Sequence, residues 1–206
     1  MSNVKERMGA SARWFRELVW DEIQHWFGDE VTLHTTEIQD SPVANDFDIV
    51  AGVDYWLSVG DAGMVSLASR VQYVDYSTYT IRYERPTGVE TEYQKRRRQY
   101  HNDDYELPTW TVQAYVDTTL GAIRNVAAVR TEELYDVVLA GEPGEDWPII
   151  PVRDEQGRPD GKMITVDWQT VDDKCEMLVH DRSRAGLQRP TPENPGDIVS
   201  WGEVRD

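Results

Sequence analysis

Lysine, cysteine and long apolar runs are scarce in this 206-residue sequence. The single cysteine, Cys175, excludes an intramolecular disulfide and a cysteine-rich zinc site, and we expect it to be a structural thiol. No run of about 18 apolar residues is present, so no membrane-spanning helix and no membrane partner are expected. The first residues, MSNVKERMGASARWF, contain no apolar signal segment, which predicts a cytoplasmic protein.

Positive charge is the other shortage. The chain has 38 acidic residues against 21 basic ones, a formal net charge of −17, and only four of the basic residues are lysines. Acidic, lysine-poor surfaces are typical of cytoplasmic proteins of salt-loving archaea, where molar salt shortens the Debye length to about 3 Å. We therefore expect a halophilic protein of an archaeon, an archaeal virus or a plasmid, with an acidic mesophilic protein as the alternative. At such salt the net charge does not exclude a nucleic-acid partner.

The pattern of apolar residues predicts an α+β fold. Phe15, Val19 and Ile23 recur at helical spacing, whereas later segments alternate apolar and polar residues as half-buried strands do. The first three predicted strands suit an antiparallel meander with one face in the core. In chain order we predict a helix over 11–28, strands over 48–59, 64–74 and 78–85, a helix over 89–101, strands over 110–116 and 122–130, and a helix over 131–139.

The composition changes after Gly141, where proline, glycine and charged residues become frequent. This change predicts an α+β core over residues 1–140 and a C-terminal extension over residues 141–206. Within the extension, a Gly-Arg-Pro-Asp-Gly turn between apolar runs predicts a short β-hairpin. The final segment, RPTPENPGD, predicts a Pro-rich tail.

The predicted order of helix, three-stranded meander, helix, strand, strand and helix resembles the core of the PD-(D/E)XK nuclease superfamily, a restriction-endonuclease-like fold. The resemblance covers roughly residues 10–140. The segments GVDYW, SRVQY, TIRYER, TEYQKR and TVQAYV also resemble an uncharacterised group of phage and plasmid proteins near that superfamily. The resemblance implies that an Asp on the meander, and an acid two residues before a Lys on the next strand, bind Mg²⁺. The Lys would help to position or activate the attacking water.

Two residues carry this pattern over and two depart from it. Asp54, at the mouth of the predicted hairpin, matches the first Asp, and Glu22 matches an acid sometimes found on the first helix. Ala68 stands where the second acid is expected and cannot bind a metal, and Arg70 stands where Lys is usual. Arginine holds a phosphate in a bidentate fork, but it stays protonated and cannot act as a base.

Several side chains are candidates to replace the missing acid. Gln72 shares the polar face of its strand with Arg70, and Glu84 lies on the predicted third strand. Glu92 and Lys95 lie one helical turn apart, so they either enter a site together or form a surface ion pair.

Two further acids have open alternatives. Glu22 falls between Leu18 and Trp26 on the apolar stripe of the first helix, so it is either an ion-paired or snorkelling residue, or a carboxylate facing a site. Asp48 shares strand parity with Asp54, and it is either part of the site or a residue of a turn network.

The only dense basic run of the sequence consists of Lys95, Arg96, Arg97 and Arg98, with tyrosines on both sides. Such a run suits contact with phosphates and stacking on bases. A solvated helix face that pairs with neighbouring acids is the alternative.

The sequence therefore predicts a DNA-acting protein, with Mg²⁺-dependent phosphodiester hydrolysis as the leading hypothesis. The alternative is a non-catalytic nucleic-acid-binding protein, or a virion or assembly protein, on a degenerate nuclease fold; Ala68 favours it. Lys95 to Arg98 would bind the DNA backbone. The predicted metal site consists of Asp54 and Glu22, completed by either Glu92 or Gln72. Either Arg70 or Lys95 would hold the scissile phosphate.

Overall fold

Two β-sheets and four helical segments make up the described part of the chain. The computed structural model describes residues 11–28, 30–35, 52–60, 63–73, 76–102, 107–117, 119–153 and 157–181. The predicted α+β class with a mixed sheet is confirmed. No helix within these residues combines the length and apolar character that a membrane crossing needs.

The first helix, α1, covers residues 11–26 and contains a π-helical stretch, Phe15–Val19, an α-helical turn, Trp20–Ile23, and a final 3₁₀ turn, Gln24–Trp26. Phe15, Val19 and Ile23 are fully buried against the sheet, as the periodicity predicts, and Leu18 is partly buried. After the helix the chain turns at Gly28, whose φ of +112° is a conformation that glycine adopts without steric cost.

Three consecutive antiparallel strands follow: β1, Val31–Thr35; β2, Tyr55–Val59; and β3, Met64–Gln72. A three-stranded meander is therefore present, but the prediction of which strands form it is wrong, because β1 takes part and the strand predicted over 78–85 does not. The strand expected to be its third member is β4, Thr78–Glu84, which pairs with a strand of the other sheet. Alternation along β4 reveals which side chains are buried, but it carries no information about which strand lies alongside.

The meander continues into a larger mixed sheet through a crossover. After β4 the chain forms helix α2, Glu92–Tyr100, capped by a reciprocal Thr91–Gln94 capping box, and returns as β5, Trp110–Asp117, parallel to β3. A parallel pair needs such a long connection. Strand β6, Ala122–Arg130, is antiparallel to β5.

The remaining elements follow residue 130. They are helix α3, Thr131–Ala140; the predicted hairpin, β7, Ile149–Arg153, and β8, Pro159–Asp167; helix α4, Trp168–Asp172; and strand β9, Met177–Asp181. The sheet orders are β1-β2-β3-β5-β6-β9 and β4-β8-β7. Pairing of β8 with β4 and of β9 with β6 links the predicted extension to the predicted core, and a division into two domains at residue 140 stays a prediction. The predicted Pro-rich tail lies outside the described residues.

Two apolar clusters lie on opposite faces of the six-stranded sheet. Helix α1 covers one face, where its aromatic residues pack on β2, β3, β5 and β6. The second sheet, α3 and α4 pack with β5 and β6 on the other face. At the β2 and β3 end of this second face the described residues line a cleft, and this cleft positions the site.

Candidate functional site

A cleft of about 490 Å³ opens where the start of β2, the middle of β3 and β5, and helix α2 come together. Five of the site residues predicted from the sequence line this cleft: Asp54, Arg70, Glu92, Lys95 and Arg96. They come from the start of β2, from β3 and from α2. Its charged lining residues are Asp54, Arg70, Arg85, Glu90, Glu92, Lys95 and Arg96.

Asp54 immediately precedes β2, and the neighbouring strand holds it at both its main chain and its side chain. Its backbone N–H donates to the Leu67 carbonyl at 3.0 Å, and the Ser69 N–H donates to its Oδ2 at 2.6 Å. The carboxylate is therefore fixed against the backbone of β3, one residue before Arg70. This fixed placement is what a ligand or orienting group in a site requires.

Glu92 and Arg70 meet across the cleft. The Arg70 guanidinium forms an ion pair with Oε2 of Glu92, and the backbone N–H of Arg82 donates to the same oxygen at 3.3 Å. Both side chains of the ion pair are about one-quarter exposed, at 27% and 26%. Ala68 offers no acid on β3, and the carboxylate that pairs with Arg70 comes from α2.

Arg96 is buried, with only 3% of its surface exposed. Its guanidinium donates to the Gly52 carbonyl at 2.8 Å and to Oε1 of Gln99 at 2.9 Å. Gly52 has a φ of +62°, and a Cβ there would lie 3.0 Å from the Arg96 guanidinium. Arg96 thus holds the backbone two residues before Asp54.

The other three cations of the basic run have different surroundings. Lys95 is half-buried and lines the cleft, whereas Arg97 is exposed and lies outside its lining. Arg98 binds Glu90 through two hydrogen bonds of 3.0 and 3.1 Å, and these hydrogen bonds lower the pKa of Glu90. Two cations of the run, Lys95 and Arg96, therefore line the cleft, whereas Arg98 forms an ion pair with Glu90.

Other candidates lie elsewhere. Glu22 is half-buried on α1, and neither it nor Gln72 lines the cleft. Glu84 forms an ion pair of 2.7 Å with Lys162. The described residues contain no group of three His, Cys, Asp or Glu side chains placed to hold a metal. Asp48 lies outside the described residues.

Sequence reasoning missed Gln113, which lies on β5 and lines the cleft with 2% of its surface exposed. Its Oε1 accepts hydrogen bonds from the Thr80 hydroxyl at 3.1 Å and from the Thr80 N–H at 3.4 Å. The signal was a single amide inside the apolar strand WTVQAYV. A buried amide in such a strand needs specific partners.

Sequence reasoning also missed Arg82, whose backbone binds Glu92 and whose guanidinium donates to the Asp160 carbonyl at 2.8 Å. Burial lowers the pKa of Arg82, and the nearby charge of Arg70 lowers it further. The charges of Asp160 and Glu92 act on Arg82 in the opposite direction, so carboxylates partly compensate the two guanidinium groups.

Comparisons of the chain with protein-family models, with curated proteins and with solved structures found no match. What the cleft can do is therefore argued from its own side chains. Two of its carboxylates, on Asp54 and Glu92, suit a Mg²⁺ ion in their chemistry, because Mg²⁺ is commonly held by one or two carboxylates together with waters and substrate phosphates. Its cations suit the phosphates themselves.

Proposed function

We propose that this protein hydrolyses phosphodiester bonds of DNA at this cleft with the help of Mg²⁺. The observation that carries the proposal is the convergence of Asp54, Arg70, Glu92 and Lys95 on one cavity from the start of β2, from β3 and from α2. A carboxylate pair facing phosphate-binding cations is the combination that metal-assisted phosphoryl chemistry uses.

The order of elements supports a restriction-endonuclease-like fold as part of this proposal. The resemblance implies a helix, a meander, a helix, two strands and a helix. The chain has α1, the β1-β2-β3 meander, α2, β5, β6 and α3 in that order. Strand β4 lies between the meander and α2 in the chain and pairs in the second sheet, so it is an insertion relative to this order.

Each side chain has a distinct role in the proposed reaction. Asp54 and Glu92 would hold the metal, which when bound lowers the pKa of a water and stabilises charge on the phosphate. Arg70 stays protonated and binds phosphate oxygens through its planar fork. Lys95 adds a positive charge from α2. Glu92 forms an ion pair with Arg70. A phosphate that binds the Arg70 guanidinium would replace Glu92 there, and the Glu92 carboxylate could then bind the metal.

The local charge of the cleft supports an anionic ligand. Four cations and three carboxylates line it, an excess of one positive charge, whereas the whole chain carries −17. At low salt that net charge repels DNA, and at molar salt the repulsion extends only about 3 Å. A halophilic origin is therefore part of the proposal, and activity should rise with salt.

The test is cleavage of supercoiled plasmid with Mg²⁺ or Mn²⁺ at low and at molar KCl. We expect Asp54→Asn to abolish cleavage without unfolding the protein, because the amide keeps the size of the side chain but loses its charge. Asp21→Asn, on the exposed side of α1, is the matched control and should cleave normally. No cleavage by the parent with either metal, or unchanged cleavage by Asp54→Asn, would overturn the enzymatic proposal.

A non-catalytic DNA-binding protein is the second candidate. The ion pair of Glu92 with Arg70, together with Ala68 in place of the second acid, favours it. This candidate predicts DNA binding in EDTA, measured by fluorescence anisotropy. Binding should weaken in Lys95→Gln and stay unchanged in Lys174→Gln, an exposed lysine outside the cleft lining. Binding that requires Mg²⁺ would contradict it.

A further inference from the structure

The Gln113 amide nitrogen, Nε2, is buried in the wall of the cleft and has no hydrogen-bond partner among the described residues. A buried donor without a partner is costly, and such groups in native proteins need an explanation. A ligand that accepts a hydrogen bond at this point is one such explanation.

The orientation of this amide is fixed by its neighbour. The Thr80 backbone N–H can only donate, and it points at the Gln113 oxygen together with the Thr80 hydroxyl. An amide flip would place the nitrogen against these donors. The NH₂ group therefore faces away from Thr80, and only an acceptor can satisfy it.

The surroundings of Gln113 specify the charge of that acceptor. In the parallel pairing of β3 and β5, Gln113 is the register partner of Arg70, so the two side chains leave the same face of the sheet side by side. An acceptor beside the Arg70 guanidinium is best supplied by an anion, which would share that guanidinium with Glu92.

A second buried polar group lies outside the cleft lining, in the apolar cluster beside it. The Tyr135 hydroxyl is fully buried, has no hydrogen-bond partner within the described part of the chain, and is exposed to the charges of Glu92, Arg96 and Arg70. Burial raises the pKa of Tyr135 well above its usual value, so the hydroxyl keeps its proton. Two polar groups without partners thus accompany the charged residues here.

We propose that the Gln113 amide donates a hydrogen bond to a non-bridging oxygen of the phosphate group that Arg70 binds. Gln113 is then a substrate-positioning residue whose oxygen is anchored by Thr80 and whose nitrogen fixes the phosphate relative to β3. This inference rests on the proposed function for the phosphate to belong to DNA, but the phosphate contact itself can be measured without DNA.

The direct test is NMR of the parent protein, which needs no variant to fold. The side-chain ¹⁵N–¹H₂ signals of Gln113 are assigned through bonds and followed as inorganic phosphate, and separately a 5′-phosphorylated oligonucleotide, is added. We expect a saturable shift of the Gln113 signals with both probes. The exposed Gln24, on α1, serves as the control and should not shift.

Two variants test the energetic contribution. Gln113→Glu retains an acceptor for Thr80 but loses the donor, and Gln113→Met loses the donor without adding a charge. Each should weaken phosphate binding about tenfold or more, the effect expected for a hydrogen bond to a charged group. Gln24→Glu adds the same charge on an exposed helix position and should bind phosphate as the parent does. Melting curves show whether each variant is folded.

The outcomes separate this inference from the proposed function. Unshifted Gln113 signals, or unchanged phosphate binding by folded Gln113→Met, overturn the inference. A parent that binds phosphate through Gln113 but neither binds nor cleaves DNA supports the phosphate contact and overturns the proposed function. DNA cleavage with an unchanged KM and kcat in Gln113→Met overturns the inference alone.

Discussion

The two faces of the six-stranded sheet are built from the same strands and each carries an apolar cluster, yet the face opposite α1 also carries the cleft. On β3, Leu67 is fully buried under α1, whereas Arg70 reaches the opposite face. On β5, Val112 packs in the α1 cluster, whereas the Gln113 side chain points to the opposite face; both residues line the cleft. Because successive side chains of a strand point to opposite faces, one strand can supply stability and chemistry independently.

Removal of apolar surface from water stabilises both faces, because each carries an apolar cluster. The face opposite α1 also contains buried polar side chains that rely on specific partners: the Thr111 and Thr131 hydroxyls lie 2.9 Å apart, and the Tyr115 hydroxyl donates to the Thr78 carbonyl at 2.7 Å. Substitutions on the two faces should therefore differ in size and in kind.

The largest effect is expected under α1. Leu67→Ala removes a fully buried side chain from the apolar cluster and should lower the free energy of unfolding by about 2–5 kcal/mol. Gln72→Ala, on the polar face of the same strand and outside the cleft lining, should change it by less than about 0.5 kcal/mol. Urea unfolding measures both. Equal losses in the two variants would contradict the division of the sheet into two faces.

An intermediate effect is expected where the basic run meets the cleft. Arg96→Met removes two buried hydrogen bonds and leaves the Gly52 carbonyl without its donor, so the free energy of unfolding should fall by about 1–3 kcal/mol.

Arg97→Met is the matched control, since Arg97 is the adjacent and exposed arginine. It should be within about 0.5 kcal/mol of the parent by the same urea measurement. Similar losses for both variants would mean that Arg96 does not support the cleft, and that the two cations are equivalent as the sequence alone suggests.

In the basic run, the helical spacing of the residues already indicates which side chains are buried, and the sequence-based prediction did not use it. Tyr93, Arg96 and Gln99 are buried, and they recur every three residues, the spacing of one side of a helix. Consecutive cations in a helix point in different directions, so four adjacent charges were never one surface. Helical spacing was enough to separate Arg96 from Arg97.

Other features could not be read from the sequence. Periodicity predicts α1, α2 and most strands, because burial on one face leaves a local pattern. It does not predict that β4 leaves the meander, or that Glu92 reaches Arg70, because both depend on contacts between residues far apart in the chain. Helix α4 and strand β9 were missed as well, since both lie in the part of the chain after Gly141, where proline, glycine and charge are frequent.

The smallest effect is expected at the rim of the cleft, where Arg98 binds Glu90 in the solvent. The hydrogen bond from Arg98 holds the pKa of Glu90 below its usual value of about 4.3, so this contribution to stability is present above that pH and is lost as the pH falls through the lowered pKa. Arg98→Gln should therefore cost no more than about 0.5 kcal/mol near pH 6, because solvent screens the pair. The difference from the parent, measured by urea unfolding, should shrink as the pH falls through the lowered pKa of Glu90, and it should also shrink in about 1 M KCl. A difference that persists in acid would instead assign the stabilisation to packing of the Arg98 side chain along α2.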